Sequence, residues 1–287
     1  MKICRFNDDR LGLVEGDEII DVSPALDVVP AVRWPLPHGD LLIAHLAELI
    51  RRIEAVKAGA PRHRIAEVRL KSPVANPSKI IAAPVNYQKH IDESRADPGI
   101  HFGSDVKAID HYGVFLKSST SLVGPGDGVA LPKVLGDRRM DHEVEVACII
   151  GREAYRVSRA EALDYVAGYT IGLDMSVRGT EDRSWRKSFD SAAVLGPWLV
   201  TPDEVGDPAD LDFSIEVNGT VRQASNTKYL IFDIPRLIEY ASATYRLYPG
   251  DVILTGTPEG VGPVAPGDVM VARVRNIGAM TVAVGSN

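Results

Sequence analysis

The chain has 287 residues, 45% hydrophobic and 25% charged, which is the composition of an ordinary globular protein and excludes a disordered one. That length permits one large domain or two unequal ones with a substantial core. The formal net charge of −7 opposes nucleic acid or anionic membrane as a partner, but a bound dication can reverse the local field for an anionic substrate.

Residues 1–75 read as a small accessory α+β region. Short strands are predicted at 3–6, 11–14 and 18–22, around the turns Asn7-Asp8-Asp9 and Glu15-Gly16-Asp17. Asp40 is placed to cap a helix in which Leu42, Ile43, Leu46, Leu49, Ile50 and Ile53 follow helical spacing, with Gly59 and Pro61 ending it. The basic runs Arg51-Arg52 and Arg62-His63-Arg64 read as a solvated face in an acidic chain. Ser72-Pro73-Val74-Ala75-Asn76-Pro77 carries two prolines and reads as a linker. Met1 leads straight into a strand-like segment with no basic and apolar leader, and no apolar run reaches membrane-spanning length. A cytoplasmic protein is therefore expected. Cys4 and Cys148 are too few for a disulfide framework or a zinc pattern, and Cys148 is expected as a small core residue.

The second region, 76–287, opens on a strand at 79–83 followed by Asn86-Tyr87. Residues 88–112 lose apolar periodicity, and a polar stretch this long inside a domain is either disordered or a functional lid. Within it His90 and Glu93 stand three apart. On a helical turn they meet on one face, where the carboxylate can orient the imidazole, although a surface pair has the same spacing. A strand at 114–117 leads to 121–123 and the Gly124-Pro125-Gly126 turn, whose glycines lack the spacing and lysine of a nucleotide-binding loop.

From 140 to 174 the pattern is richest. Val144, Val146, Cys148 and Ile150 alternate with Glu143, Glu145, Ala147 and Ile149, which is a strand with apolar residues on both faces beyond Glu145. Glu143 and Glu145 share one face, with Cα atoms about 7 Å apart. Two carboxylates so close raise each other's pKa unless a cation lies between them, and a hard dication such as Mg²⁺ takes both as ligands. Ser158 and Glu161 read as a capping box, 160–166 as a helix ended by Gly168, and 169–177 as a strand carrying Asp174. A crossover of strand, helix and strand would bring Asp174 beside the glutamates. An exposed acidic strand end with an unrelated aspartate accounts for the same residues. Further on, 213–217 and 221–223 form a hairpin around Asn218-Gly219. Asp233 and Pro235 start a helix running to about residue 245, and the remainder alternates strands with Gly-rich turns.

Asp141-His142-Glu143-Val144-Glu145-Val146-Ala147-Cys148-Ile149-Ile150-Gly151, followed by 164–170, resembles the fumarylacetoacetate hydrolase family. Lys187-Ser188-Phe189-Asp190, Leu195-Gly196-Pro197-Trp198 and the run from Pro249 to Pro258 match as well, so the similarity spans about residue 79 to the C-terminus. It implies an α+β fold in which a mixed sheet curls into a β-roll around a metal site, with peripheral helices. The implied ligands of Mg²⁺ or Mn²⁺ are Glu143, Glu145 and Asp174. His90 and Glu93 match a His-x-x-Glu dyad that the family places after its Asn-Tyr motif, and Lys187 is the expected oxyanion donor. Asn86, Arg178 and Thr257 are weaker candidates for substrate contacts, an ion pair being the alternative for Arg178. Where the family has Arg-Asp-x-Gln, this chain has Arg178-Gly179-Thr180-Glu181, which replaces an amide donor by an anion.

The implied reaction is hydrolysis of a carbon–carbon bond in an acylpyruvate-type 1,3-diketo acid, giving pyruvate and a carboxylic acid. Decarboxylation of an oxaloacetate-like acid and keto–enol isomerisation are alternatives within the family, and a non-catalytic metal-binding homologue is a third. The expected partner is a small-molecule 2-oxo or diketo acid, without nucleic acid or membrane, and the expected assembly is a homodimer.

Overall fold

The computed structural model describes residues 1–286. Three sheets with short helices around them make an α+β fold. The largest sheet runs in the order Arg62–Arg64, Glu18–Asp21, Arg10–Glu15, Lys2–Phe6, Ala193–Val200, Val166–Asp174, Val144–Ile150, Val252–Leu254, Ile80–Ala82, Phe115–Lys117. A second has Asp212–Val217 between Thr220–Asn226 and Val269–Val274, continuing through Gly278–Ser286 to Val129–Leu131. A third, of three short strands, contains Met140–His142.

Val144–Ile150 is buried at every position, as its unbroken apolar run predicts. Val144, Val146, Cys148 and Ile150 share one core with Phe213, Ile215 and Met270 of the second sheet. Ala147 and Ile149 share another with Leu49 and Ile53 of the helix Leu46–Val56. The first 75 residues share this sheet and this core. Lys2–Phe6 pairs antiparallel with Ala193–Val200, and the helix Leu46–Val56 covers a face of the large sheet. Asp40 accepts the Ile43 N–H at 3.2 Å as a cap, and its other oxygen accepts Ala75 and Asn76 N–H at 2.7 and 2.9 Å. The cap thereby ties the Pro-rich segment to the helix. His45 divides the expected helix into Leu41–Ala44 and Leu46–Val56. At the surface, Arg62 meets Glu15 and Glu18, and Arg52 meets Asp27, a solvated face as expected.

Two local expectations hold closely. Asn218 and Gly219 take φ of 51° and 76°, the left-handed pair that a two-residue hairpin requires. Asp233 caps the helix Ile234–Thr244 by accepting the Arg236 N–H at 2.9 Å.

The expected crossover helix at 160–166 is corrected. Only a 3₁₀ turn, Ala162–Tyr165, forms, because Ser158 Oγ bonds the Glu161 carboxylate at 2.7 Å instead of capping a helix amide, and 166–168 belong to the next strand. Val166–Asp174 lies directly antiparallel to Val144–Ile150, a pairing that needs no crossover. Gly168 serves this strand and not a helix end: a Cβ there would lie 2.4 Å from the Val200 carbonyl oxygen.

The sheet is strongly curled. Lys117 and Asp174 lie on strands four spacings apart, about 19 Å in a flat sheet, yet the Lys117 ammonium bonds the Asp174 carboxylate. The segment after Lys117 returns as Leu122–Val123 to pair in parallel with Ala193–Val200, which brings the far edge back over the carboxylates. Among the described residues, no helix is long and apolar enough to cross a membrane.

Candidate metal centre and its cavity

Strand register brings the three acidic residues together. Glu145 lies opposite Gly172, and Val144 opposite Leu173. The Asp174 N–H then donates to the Glu143 carbonyl at 2.9 Å. The three carboxylates therefore project from one face at the end of two adjacent strands, and one oxygen from each lies within 4.8 Å of the others. All three are buried, with exposures of 4%, 1% and 2% for Glu143, Glu145 and Asp174. Gly172 keeps the position facing Glu145 clear, since a Cβ there would come 2.5 Å from Leu254 Cδ2.

Cations alternate with these carboxylates along a continuous chain. Lys117 bonds Asp174. Lys187 Nζ bridges Asp174 Oδ2 and Glu143 Oε2 at 2.8 and 2.7 Å. Arg178 spans Glu143 Oε1 and Asp141 Oδ2, both at 2.8 Å. Arg139 continues from Asp141 to Asp97 at 2.7 and 2.8 Å. Four cations thus balance four carboxylates, and Glu145 is left over. Its carboxylate accepts only a backbone N–H, from Gly256 at 2.6 Å, among the described residues.

The electrostatics follow that division. Burial opposes ionisation of Glu143, but the Lys187 ammonium and Arg178 guanidinium outweigh it and hold the carboxyl well below its ordinary range. Burial, with repulsion from Asp174 and Glu143, pushes Glu145 well above its own. Burial also pulls Lys117 down, against the attraction of Asp174. An all-oxygen donor set with one uncompensated carboxylate, free of thiolate and imidazole, fits a hard dication.

His90 and Glu93 sit on the helix Gln88–Ala96, where three-residue spacing puts them on one face. His90 Nδ1 and Glu93 Oε2 are 2.9 Å apart, and Glu93 Oε1 accepts the Gly260 N–H at 2.8 Å. With the carboxylate ionised, the ring proton sits on Nδ1 and Nε2 is the nitrogen free to take another. The aperiodic stretch 88–112 is thus three short helices, Gln88–Ala96, Pro98–His101 and Ile109–Tyr112, over the site. His90, Glu143, Asp174, Arg178, Lys187 and Thr257 all line one cavity of about 390 Å³.

Two residues expected at the substrate are held by hydrogen bonds within the protein. Asn86 is fully buried and does not line the cavity. Its Nδ2 donates to the Phe232 and Thr255 carbonyls at 2.9 and 2.8 Å, and its Oδ1 accepts the Phe232 N–H at 2.7 Å. The side chain is a clamp between loops. Thr257 reaches the cavity wall, but its Oγ1 donates to the Val144 carbonyl at 2.9 Å and accepts from Gln223 Nε2 at 2.8 Å. Arg178 lines the cavity while ion-paired to two carboxylates, so the ion-pair alternative describes its contacts. Glu181 pairs with Arg138 through both oxygens at 2.7 and 2.6 Å, and that guanidinium holds it down at about 2.

The sequence reading missed Lys117 and Gln223. A lysine closing the apolar run 114–116 was the available signal, since an interior strand lysine is costly unless paired. Gln223 offered none. Its Oε1 lies 3.0 Å from His142 Nδ1 and accepts the Val144 N–H at 3.1 Å, holding the His142 ring on one side of Glu143 and the Val144 backbone on the other.

Comparison with known proteins points to one family. The family model described as fumarylacetoacetate (FAA) hydrolase C-terminal matches residues 79–285. A maleylpyruvate hydrolase of Aquipseudomonas alcaligenes is 56% identical over 288 aligned residues, covering both chains completely. A 2,4-didehydro-3-deoxy-L-rhamnonate hydrolase of a Sphingomonas species is 37% identical, covering 97% of this chain and 94% of the other. The crystal structure of maleylpyruvate hydrolase from a Sphingobium species in complex with manganese(II) and pyruvate superposes with a TM-score of 0.84 at 43% identity, covering both chains completely.

Proposed function

From the premise that the chain belongs to the fumarylacetoacetate hydrolase family and is a metal-dependent hydrolase acting on a carbon–carbon bond of an acylpyruvate-type acid, we propose that its substrate is maleylpyruvate. The observation that carries this reading is the full-length 56% identity to a maleylpyruvate hydrolase, together with a buried carboxylate cluster and a His–Glu dyad on one cavity.

Glu143, Glu145 and Asp174 hold the divalent cation, Mg²⁺ or Mn²⁺, which when bound supplies Lewis-acid stabilisation of the enolate charge that develops as the bond breaks. His90, oriented by Glu93, takes a proton from water through Nε2. The water oxygen bonds to the acyl carbonyl carbon, whose oxygen becomes an oxyanion beside the Lys187 ammonium. Collapse of that adduct restores the carbonyl and breaks the bond to the methylene carbon. The electron pair leaves with the three-carbon fragment as an enolate, and the proton held by His90 returns to its carbon. The products are pyruvate and maleate. Arg178 keeps Glu143 ionised and placed.

In this reading the curled sheet is a β-roll enclosing the metal. Residues 1–75 act as an accessory region and 76–287 as the catalytic one, in a cytoplasmic homodimer whose assembly sedimentation measures. The deciding experiment assays the purified chain with Mg²⁺ and Mn²⁺ against maleylpyruvate, acetylpyruvate, oxaloacetate and a 2,4-diketo sugar acid. Maleylpyruvate should give the highest kcat/KM, with pyruvate and maleate in equal amounts. Conversion of oxaloacetate without cleavage of any acylpyruvate would replace this reading by decarboxylation or tautomerisation.

A further inference from the structure

Two guanidinium groups on the cavity wall take no part in the reaction above. Arg183 and Arg186 lie on the short helix Arg183–Arg186, and both line the cavity. The other arginines around the site are engaged by carboxylates: Arg178 by Asp141 and Glu143, Arg138 by Glu181, Arg139 by Asp97 and Asp141. Arg183 and Arg186 have no carboxylate partner among the described residues. Arg186 donates Nε to the Glu181 carbonyl at 2.7 Å and Nη1 to the Val177 carbonyl at 3.0 Å. Those bonds orient the guanidinium plane and leave Nη2 without an acceptor among the described residues. Arg183 lies over the Tyr112 ring, 4.3 Å from its centroid, which orients it without neutralising it.

On this stretch of wall Arg183 and Arg186 stand beside two carboxylates, Glu181 and Asp182, of which Glu181 is already paired with Arg138, so cations exceed carboxylates there by one. Burial and the positive charge of Arg178 and Arg183 weaken proton binding by Arg186 and outweigh the attraction of Glu143 and Glu181, and an anion placed there gains from both guanidinium groups. A planar fork of N–H donors matches a carboxylate better than any neutral group of similar size. The acylpyruvate end of the substrate, with its own carboxylate and keto oxygens, would be taken up by the cation that the acidic cluster would hold and by Lys187 beside it. A substrate whose acyl group carries a second carboxylate has that group left to place.

We propose that Arg183 and Arg186 bind the distal carboxylate of the acyl group and make the enzyme selective for acylpyruvates that end in a second carboxylate. The inference rests on the hydrolase reading and names the residues that set its substrate class. The arginines act on the non-reacting end of the substrate, so they are specificity-determining and leave the chemistry to His90 and Lys187.

The test measures kcat and KM of the metal-loaded enzyme with maleylpyruvate and with acetylpyruvate, which lacks the distal carboxylate. Removing a charge-assisted hydrogen bond typically costs on the order of 10- to 100-fold. Arg186→Gln should therefore lower kcat/KM for maleylpyruvate by that factor and leave acetylpyruvate within about twofold, with Arg183→Gln changing in the same sense. Arg186→Lys should recover only part of the loss, because charge returns without the fork. Equal losses on both substrates, or no loss on either, would overturn the assignment. Maleate binding by calorimetry separates the two layers of argument. A wild type that cleaves neither substrate overturns the hydrolase reading. The arginine assignment then still stands if maleate binds the wild type more tightly than Arg186→Gln, and falls if both bind it equally.

Discussion

Asp174 donates its backbone N–H to the carbonyl of Glu143 at 2.9 Å, so two of the three candidate metal ligands are placed by the sheet itself. Glu145 joins them because it stands two residues along the same strand and thus on the same face. Side-chain ion pairs then act on a frame that the backbone already holds. Replacing a ligand side chain should accordingly change charge and metal affinity before it changes the fold.

Glu145→Gln should abolish metal binding and activity yet raise the thermal stability of the chelated protein near neutral pH. The Glu145 pKa is raised in the folded state by burial and by Asp174 and Glu143. Above its ordinary value of 4.5, the unfolded chain therefore loses this proton while the folded chain keeps it, and stability falls as pH rises through that window. Glu143 has the opposite sign. Its pKa is lowered, so its contribution is present above the ordinary value and is lost below it as acid protonates the folded carboxylate. The two windows do not overlap. Melts of chelated wild type and Glu145→Gln between about pH 5 and pH 8 should show the slope reduced in the variant, and calorimetry with Mn²⁺ should show binding lost. An unchanged metal affinity would remove Glu145 from the ligand set.

Metal uptake by the chelated wild type should release protons, because a ligand with a raised pKa must ionise to bind. Titrations in buffers of different ionisation enthalpy count them. The expected result is a net release of protons above pH 4.5, falling toward none in Glu145→Gln.

Arg178→Met should destabilise the protein strongly, by about 3–5 kcal/mol, because it leaves Asp141 and Glu143 buried without a shared cation. Urea denaturation measures the loss. Arg178→Lys should fall between the variant and wild type, since one ammonium cannot reproduce two bonds from a planar fork. A loss below about 1 kcal/mol, the scale of an exposed pair, would mean that the ion pair is not what holds these carboxylates.

His90→Ala should reduce acylpyruvate cleavage by about 10²-fold or more, the usual contribution of a positioned general base. Any decarboxylation of oxaloacetate should fall much less, since it needs no activated water. Both rates are compared in one preparation at saturating Mg²⁺. Survival of both activities would remove the His90–Glu93 dyad from the mechanism.

The segment 88–112 should gain hydrogen-exchange protection when oxalate or pyruvate binds together with metal. It carries His90, anchors through Glu93 to Gly260 and through Lys89 to Glu259, and among the described residues reaches the charge chain through Asp97 and Arg139. Few long-range bonds make it the element freest to open. Protection confined to other segments would rule out a lid.

What the sequence determined by itself lies within single elements. Glu143 and Glu145 share a face because side chains on a strand repeat every two residues, and His90 meets Glu93 because a helical turn brings i and i+3 together. Asn218-Gly219 and Asp233 acted through turn and cap chemistry confined to a few residues. Family motifs carried the candidate metal ligands, the dyad and Lys187. Only the tertiary structure decided which strands are neighbours, so the expected crossover became a direct antiparallel pairing. It also decided that Asn86 clamps loops, that Lys117 reaches Asp174 across 57 residues of sequence, and that Arg178 spends its fork on Asp141 and Glu143. The physical reason is one of range: backbone periodicity states which face a residue presents, whereas its partner depends on how the sheet curls, and that is set by packing across the whole chain.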